Sequence, residues 1–491
     1  MKTLHPLMLA GTGSDVGKST LAAALCRIML QDGFHPAPFK AQNMALNSYA
    51  TPEGLEIGRA QAMQAEAAGI PCHTDMNPLL LKPQGDHTSQ VILNGRPIGN
   101  RDAYDYFRRQ GRDELRRAVC AAFDRLSTKY NPIVMEGAGS IAELNLRDTD
   151  LVNMPMARHA QADVILVGDI DRGGIFASIY GSIALQTPED RQRIKGILIN
   201  KFRGDLRLFD EGRHMLERLC HIPVLGIIPH LTDMHLDAED SVQLAIKART
   251  RAQGRVNIAV VLLRHLSNFT DFDTLERDPR VHLFYTTNTD DLLASDIIIL
   301  PGSKATLSDL HELRRNGAAG AIIRARNAGA TILGICGGYQ MLGVEVRDPH
   351  HIEGDIERLP GLALLPVTTT LTAEKTTRQV TLRGGMRGYE IHCGETHPCP
   401  HAQDSPFLTH SDGTPEGYRA DDRCMGTYIH GILDNPPLIN RLLAPFKTKL
   451  SQPPTPLDPQ AFKEEQYNRL ADHVRKHIDM KKLYQILTQH D

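Results

Sequence analysis

The sequence predicts an α/β architecture built from two successive parallel-sheet units, and three observations carry that expectation. Short runs rich in Val, Ile and Leu alternate with longer stretches of helical periodicity. A glycine-rich loop follows the first apolar run and leads into an amphipathic stretch. A later apolar run ends in a glycine-flanked cysteine. Runs this apolar suit strands buried on both faces, the condition of a parallel sheet covered by helices.

Taken in order, the strand candidates are residues 7–10, 132–135, 164–167 and 196–199, then a second series at 256–263, 296–300 and 331–335. Between the two series the chain turns polar after Pro229, passes through Ala238-Glu239-Asp240, and becomes basic from Lys247 to Arg255. The expected organisation is a first domain over residues 1–235, a linker over 236–255 and a second domain over 256–445. Residues 446–491 are expected to form a helical C-terminal tail: a proline-rich segment at 452–459 is followed by charged sequence with apolar residues at helical spacing.

Composition narrows the function classes. The 491 residues are 41% hydrophobic and 23% charged, as in a globular protein, and the net charge of −3 gives no electrostatic basis for binding nucleic acid or an anionic membrane. The apolar stretch at residues 7–10 is too short for a signal sequence, and no window approaches the roughly 18 apolar residues of a membrane span. Eight scattered cysteines without a CxxC pair read as reduced thiols, so a cytoplasmic location is expected. Homo-oligomerisation is left open.

The first chemical constellation is Gly11-Thr-Gly13-Ser-Asp-Val-Gly17-Lys18-Ser19-Thr20, between a strand and a helix. Glycines there let backbone N–H groups turn inward around phosphate oxygens, and the helix N-terminus adds partial positive charge. Lys18 is placed to reach the β/γ-phosphates and Ser19 to ligate Mg²⁺. The usual phosphate-loop spacing would put glycine at position 12, which is Thr, so the match is to the looser variant. Glu136, at the end of a strand, is a candidate for Mg²⁺ or its waters, and the pair Asn200-Lys201 ends another strand where a purine edge could be read. ATP and Mg²⁺ are therefore expected. Asp169 and Asp171 follow a strand and are candidates to face the nucleotide or the substrate, with a capping role as the alternative.

The second constellation is Gly334-Ile-Cys336-Gly337-Gly338, the thiol counterpart of a nucleophile elbow. A sharp strand-to-helix turn exposes the thiol, and backbone N–H groups beside it, including that of Gly337, stabilise an oxyanion. Gly302, in Leu300-Pro-Gly302-Ser303, is the candidate for the second donor. The base is sought among 22 histidines; His430, in Tyr428-Ile-His430-Gly431, is chosen through its pairing with Cys336. The patch His392, Cys393, His397, Cys399 and His401 fits no standard zinc spacing and reads as a surface loop.

These motifs are joined by Pro38-Phe-Lys40-Ala-Gln-Asn43-Met, Glu56-Ile-Gly58-Arg59-Ala-Gln61, Asp75-Met-Asn77-Pro-Leu-Leu-Leu-Lys82-Pro, Asn145-Leu-Arg147-Asp148, Val167-Gly-Asp169-Ile-Asp171-Arg172-Gly and Asn200-Lys-Phe-Arg-Gly-Asp205. In combination they resemble the cobyric acid synthase family over nearly the whole chain up to about residue 435. The resemblance implies a P-loop domain similar to dethiobiotin synthetase, followed by a class I glutamine amidotransferase domain. It implies four ATP-dependent amidations of a corrin that already bears two amides. Cys336 would form a glutamyl thioester with His430 as base, and Lys40 would lie near the transferred phosphate. Asn43, Arg59, Lys82, Arg147 and Arg172 are candidates for holding the corrin substrate. Most class I glutaminases carry Glu two residues after the histidine; here that residue is Ile432, which leaves open what orients His430.

Rival readings are the sister a,c-diamide synthase and a ParA-like switch ATPase carrying a glutaminase-like domain. The segments around Asn43 and Lys82 favour the cobyric acid synthase pattern over the first. The appended thiol domain argues against the second.

Overall fold

The computed structural model describes residues 3–83, 88–102, 112–231, 234, 254–450 and 458–488. Most of the linker expected at 236–255, and most of the proline-rich segment at 452–459, lie outside the described residues.

The first sheet has six parallel strands in the order Val224–Pro229, Ile194–Phe202, Asp163–Asp169, Leu7–Gly11, Ile133–Glu136, Ala37–Phe39. Leu7–Gly11 is buried at every position, which is why its sequence shows an unbroken apolar run instead of alternation. It lies between Asp163–Asp169 and Ile133–Glu136, so the loop after Gly11 opens between the loops that follow those strands. The carboxyl edge of such a sheet is where ligands gather. The expected strands at 132–135, 164–167 and 196–199 are present within Ile133–Glu136, Asp163–Asp169 and Ile194–Phe202.

Between the strands Ala37–Phe39 and Ile133–Glu136 the chain builds an inserted sheet that the sequence reading did not foresee. It comprises Gln42–Met44, Leu79–Pro83, Thr88–Leu93 and Arg96–Asp102 in that order, with a ribbon of Ser48–Ala50 against Glu56–Gly58. The inserted elements reach the second domain. Ser48 N donates to Asn268 Oδ1 at 2.9 Å, Gln379 Nε2 donates to Ala50 O at 3.0 Å, and the Tyr49 and Tyr389 rings meet edge-on at 4.6 Å.

The second domain centres on another six-stranded sheet: Val281–Thr286, Val256–Val261, Ile297–Leu300, Thr331–Ile335, Cys424–Thr427 and Tyr418–Asp421, parallel except for the last. A separate five-stranded sheet carries the long hairpin Val367–Thr381 and Arg387–Pro398, and the two-residue strand Ile429–His430 joins its edge by pairing His430 with Tyr389.

The C-terminal segment is helical, as expected, over Pro459–His477 and Met480–Ile486, but it packs into the first domain. Tyr467, Leu470, Val474, Ile478 and Leu483 belong to the same buried core as the Leu7–Gly11 strand. Asp479 N donates to Leu225 O at 2.8 Å and Tyr467 Oη to Glu66 Oε2 at 2.8 Å. The helical spacing read from the sequence describes an apolar stripe whose partner is the opposite end of the chain.

Candidate functional sites

The phosphate loop runs from Gly11 to the helix Lys18–Gln31, capped by Gly17 at φ 95°, a left-handed conformation that glycine adopts without a Cβ penalty. Lys18 folds back over the loop: its Nζ donates to Gly13 O at 2.9 Å and Gly139 O at 3.1 Å. Thr20 is half-buried in the first turn. Ser19 Oγ donates to Glu136 Oε1 at 2.7 Å. Lys40 Nζ meets the same Oε1 at 2.7 Å, and Gln64 Nε2 donates to Oε2 at 2.7 Å. Two lysines, a hydroxyl and a carboxylate thus converge at one sheet edge. A hydroxyl beside a carboxylate is an oxygen pair that fits Mg²⁺, and the lysines fit phosphate oxygens.

Asn200 and Lys201 stand beside this loop but act on it. Asn200 Nδ2 donates to Val16 O at 2.8 Å, and Lys201 Nζ pairs with Asp169 Oδ2 at 3.0 Å and with Asp15 O. Asp171 pairs with Arg203 at 2.7 Å.

The corrin candidates separate. Arg147 lines an open cavity of about 500 Å³ that begins at Gly139 and Ser140, beside the phosphate loop, and whose wall carries Arg112, Arg116 and Arg158 together with Glu143, Asp148, Asp150 and Asp190. The other candidates sit outside this cavity. Arg172 is exposed and pairs with Asp15 at 3.2 Å. Arg59 stacks over the Tyr49 ring at 4.7 Å and pairs with Glu66 at 3.6 Å. Asn43 is buried and donates to Gln61 Oε1 at 3.1 Å. Lys82 pairs with buried Glu56 at 2.8 Å and lines the chamber of Cys336 in the other domain. Spacing along the chain could not reveal these partners, because the inserted sheet turns Lys82 and Glu56 toward the second domain.

The thiol elbow has the expected shape. Cys336 sits at φ 52° and ψ −113° between the strand Thr331–Ile335 and the helix Gly337–Leu342. Non-glycine residues rarely hold positive φ, and such strain of about 1–3 kcal/mol persists where surrounding structure over-determines it. The following glycines permit the tight approach: a Cβ on Gly338 would lie 2.0 Å from Leu300 O, and one on Gly337 would lie 2.9 Å from Ser303 N. Gly302 adjoins the histidine ring, where a Cβ would lie 3.1 Å from His430 Cε1.

The Cys336 thiol donates to Ile391 O at 3.6 Å, and its interaction with His430 favours the imidazolium. His430 Nδ1 meets Asp271 Oδ2 at 2.7 Å, and Gly431 N donates to Asp271 Oδ1 at 2.8 Å. Both side chains are buried. Asp271 is therefore the orienting group that the absent glutamate at 432 left open. It holds Nδ1 and leaves Nε2 as the nitrogen able to serve the thiol. Burial works against the imidazolium, but the Asp271 carboxylate outweighs it and raises His430 to about 10.

A small chamber of about 30 Å³ lies over Cys336. Its wall includes Gln340, which accepts from Thr306 Oγ1 at 3.2 Å and donates to Tyr428 Oη at 3.3 Å. His392 and Cys393, expected in a surface loop, lie in the strand Arg387–Pro398 and face this chamber. No cluster of three metal-ligating side chains occurs among the described residues. Among the described residues no helix is long and apolar enough to cross a membrane.

The comparisons with known proteins divide the chain at the same place. Residues 7–243 match a CobQ/CobB/MinD/ParA nucleotide binding domain, and residues 257–438 match a CobB/CobQ-like glutamine amidotransferase domain. The chain is 68% identical over 495 residues to cobyric acid synthase of Bacteroides fragilis and 65% identical over 495 residues to that of Phocaeicola vulgatus, each covering 100% of both chains. It is 55% identical to cobyric acid synthase of Parabacteroides distasonis, with 98% of each chain covered. With a P-loop site in one domain, an Asp–His–Cys site in the other, and relatives of this identity along its whole length, the chain belongs to the cobyric acid synthase family.

Proposed function

We propose that this chain uses ATP and glutamine to amidate the b, d, e and g side-chain carboxylates of (adenosyl)cobyrinic acid a,c-diamide, giving (adenosyl)cobyric acid with ADP, phosphate and glutamate. The observation that carries the reading is the convergence of Lys18, Lys40, Ser19 and Glu136 beside an open cavity of about 500 Å³ that begins at Gly139, the residue whose carbonyl holds Lys18. A macrocycle needs an open site beside the transferred phosphate, and Arg147 on its wall is a donor suited to a carboxylate.

In the glutaminase half, the Cys336 proton rests on His430, whose raised pKa favours the imidazolium, and Cys336 Sγ attacks the side-chain amide carbon of glutamine as the thiolate. That imidazolium is stabilised by Asp271. His430 returns the proton to the departing nitrogen, ammonia leaves, and water then cleaves the thioester to glutamate. The N–H groups of Gly302 and Gly337 are the proposed donors to the oxyanion.

In the amidoligase half, a corrin carboxylate attacks the γ-phosphorus of ATP and ADP departs. Lys18 and Lys40 offset charge on the transferring group, Gly13 and Gly17 shape the cradle, and Thr20 adds a donor at the helix start. Ser19 and Glu136 would hold Mg²⁺, which supplies charge neutralisation between the phosphates. Ammonia displaces phosphate from the acyl phosphate to form the amide. Asn200 and Lys201 support the loop that carries these groups, and Arg147 is the proposed corrin contact. All eight cysteines are free, which suits the reducing cytoplasm proposed as its location.

Incubation with Mg·ATP, glutamine and cobyrinic acid a,c-diamide, followed by corrinoid mass spectrometry, tests the reading. Four successive carboxylate-to-amide steps are expected. ATP hydrolysis with an unchanged corrinoid would sink the assignment.

A further inference from the structure

The chamber over Cys336 contains a lysine that no carboxylate among the described residues contacts directly: burial lowers its pKa, and Glu353 and Glu56 oppose that shift through their charge alone. Lys304 is 7% exposed and lies on the chamber wall. Among the described residues its ammonium makes no hydrogen bond and no ion pair. The other lysines of the same chamber, Lys82 and Lys375, share the one buried carboxylate of Glu56. Their charge holds Glu56 well below the usual carboxylate range, against the opposing effect of its burial. Removing an ammonium from water without a counter-charge is costly, so a side chain held this way is poised for an anion brought from outside.

The loop carrying Lys304 is fixed. Lys304 N donates to His265 O at 3.0 Å, Ser303 Oγ donates to Asp309 Oδ2 at 2.6 Å, and Ala305 N donates to Ser303 Oγ at 3.0 Å. Across the chamber Glu353 is also held, accepting from Thr306 N at 2.6 Å. One small chamber thus contains a thiol, a lysine without a hydrogen-bond partner among the described residues and an anchored glutamate whose carboxyl burial pushes up to about 7. That set complements a molecule with an amide at one end and both a carboxylate and an ammonium at the other.

We propose that Lys304 is the specificity-determining residue of the glutaminase site, binding the α-carboxylate of glutamine, with Glu353 receiving the α-ammonium. This rests on the reading of Cys336 as the glutamine nucleophile and adds how the free amino acid is chosen over other primary amides. A charged group bound by a preplaced counter-ion is rejected strongly when the charge is deleted, because the site's own ion is then left buried and unpaired.

The test uses the full-length protein with Mg·ATP and corrinoid, and measures ammonia released from L-glutamine and from L-glutamine α-amide. The two share the reacting amide and differ only in the α-carboxylate. The wild type is expected to favour L-glutamine by about 100-fold, expressed in KM more than in kcat. Lys304→Met should erase that preference by raising the KM for L-glutamine while leaving the α-amide unaffected, and Lys304→Arg should retain most of it. Equal use of both amides by the wild type would overturn the proposal, independently of whether any variant folds. So would a Lys304→Met variant that loses activity on both amides in equal measure. Failure of the wild type to release ammonia from either amide would instead overturn the role given to Cys336.

Discussion

A cysteine held at φ 52°, with a histidine and an aspartate buried beneath it, places the decisive chemistry in three side chains. Asp271 fixes the tautomer of His430 and stabilises its charged form, so Asp271→Asn should lower glutamine-driven amidation by about 100-fold or more while ammonium-driven amidation persists. Steady-state rates with the two nitrogen sources check this. Loss of both would assign Asp271 a structural role only. Glu416 offers a separate test of the buried electrostatics. It accepts from Tyr428 N and Thr427 Oγ1, each at 2.7 Å, and burial pushes its carboxyl up from 4.5 to about 7. The folded state therefore holds a proton that the unfolded state releases between those values. The associated stability, about 3 kcal/mol, is fully present below pH 4.5 and lost as pH rises through about 7. Denaturant titrations of Glu416→Gln should show a flatter decline of stability across that window than the wild type.

At the scale of elements, the inserted sheet joins the two sites. Gln42–Met44, which begins two residues after Lys40, pairs with Leu79–Pro83, and Lys82 on that second strand reaches the Cys336 chamber. Glu56→Gln would leave Lys82 and Lys375 buried without their shared counter-charge, a change of about 3 kcal/mol or more. The expected outcome is uncoupling: more than one glutamate formed for each amide made, measured side by side. A ratio that stays at one would show that the ion cluster has no part in joining the half-reactions. The tail helix Pro459–His477 belongs to the first domain's core, so Leu470→Ala, at a position 0% exposed, should cost about 2–5 kcal/mol. Thermal unfolding of the first domain checks this.

The same elements show what the sequence could and could not reveal. Strands such as Asp163–Asp169 and Ile297–Leu300 were legible because burial on both faces leaves a continuous apolar run. Gln42–Met44 and Ser48–Ala50 were not, being three residues long and partly polar, with pairing that depends on distant partners. Cys336 and its glycines announce an elbow locally. Asp271 is 159 residues from His430, in the short turn Phe269–Phe272, and only the folded chain brings them together. The burial of Lys82 beside Glu56 was not legible either, because it depends on how the inserted sheet meets the second domain.

For the whole molecule, the account is of two half-reactions on one chain: a thiol site that liberates ammonia and a phosphate site that activates a carboxylate, joined through shared buried structure. The central claim is tested most directly with Cys336→Ala, given Mg·ATP and cobyrinic acid a,c-diamide and supplied with either glutamine or ammonium, while corrinoid mass is followed. The account predicts no amidation with glutamine and full stepwise amidation with ammonium. Amidation from glutamine by this variant at the wild-type rate would contradict it.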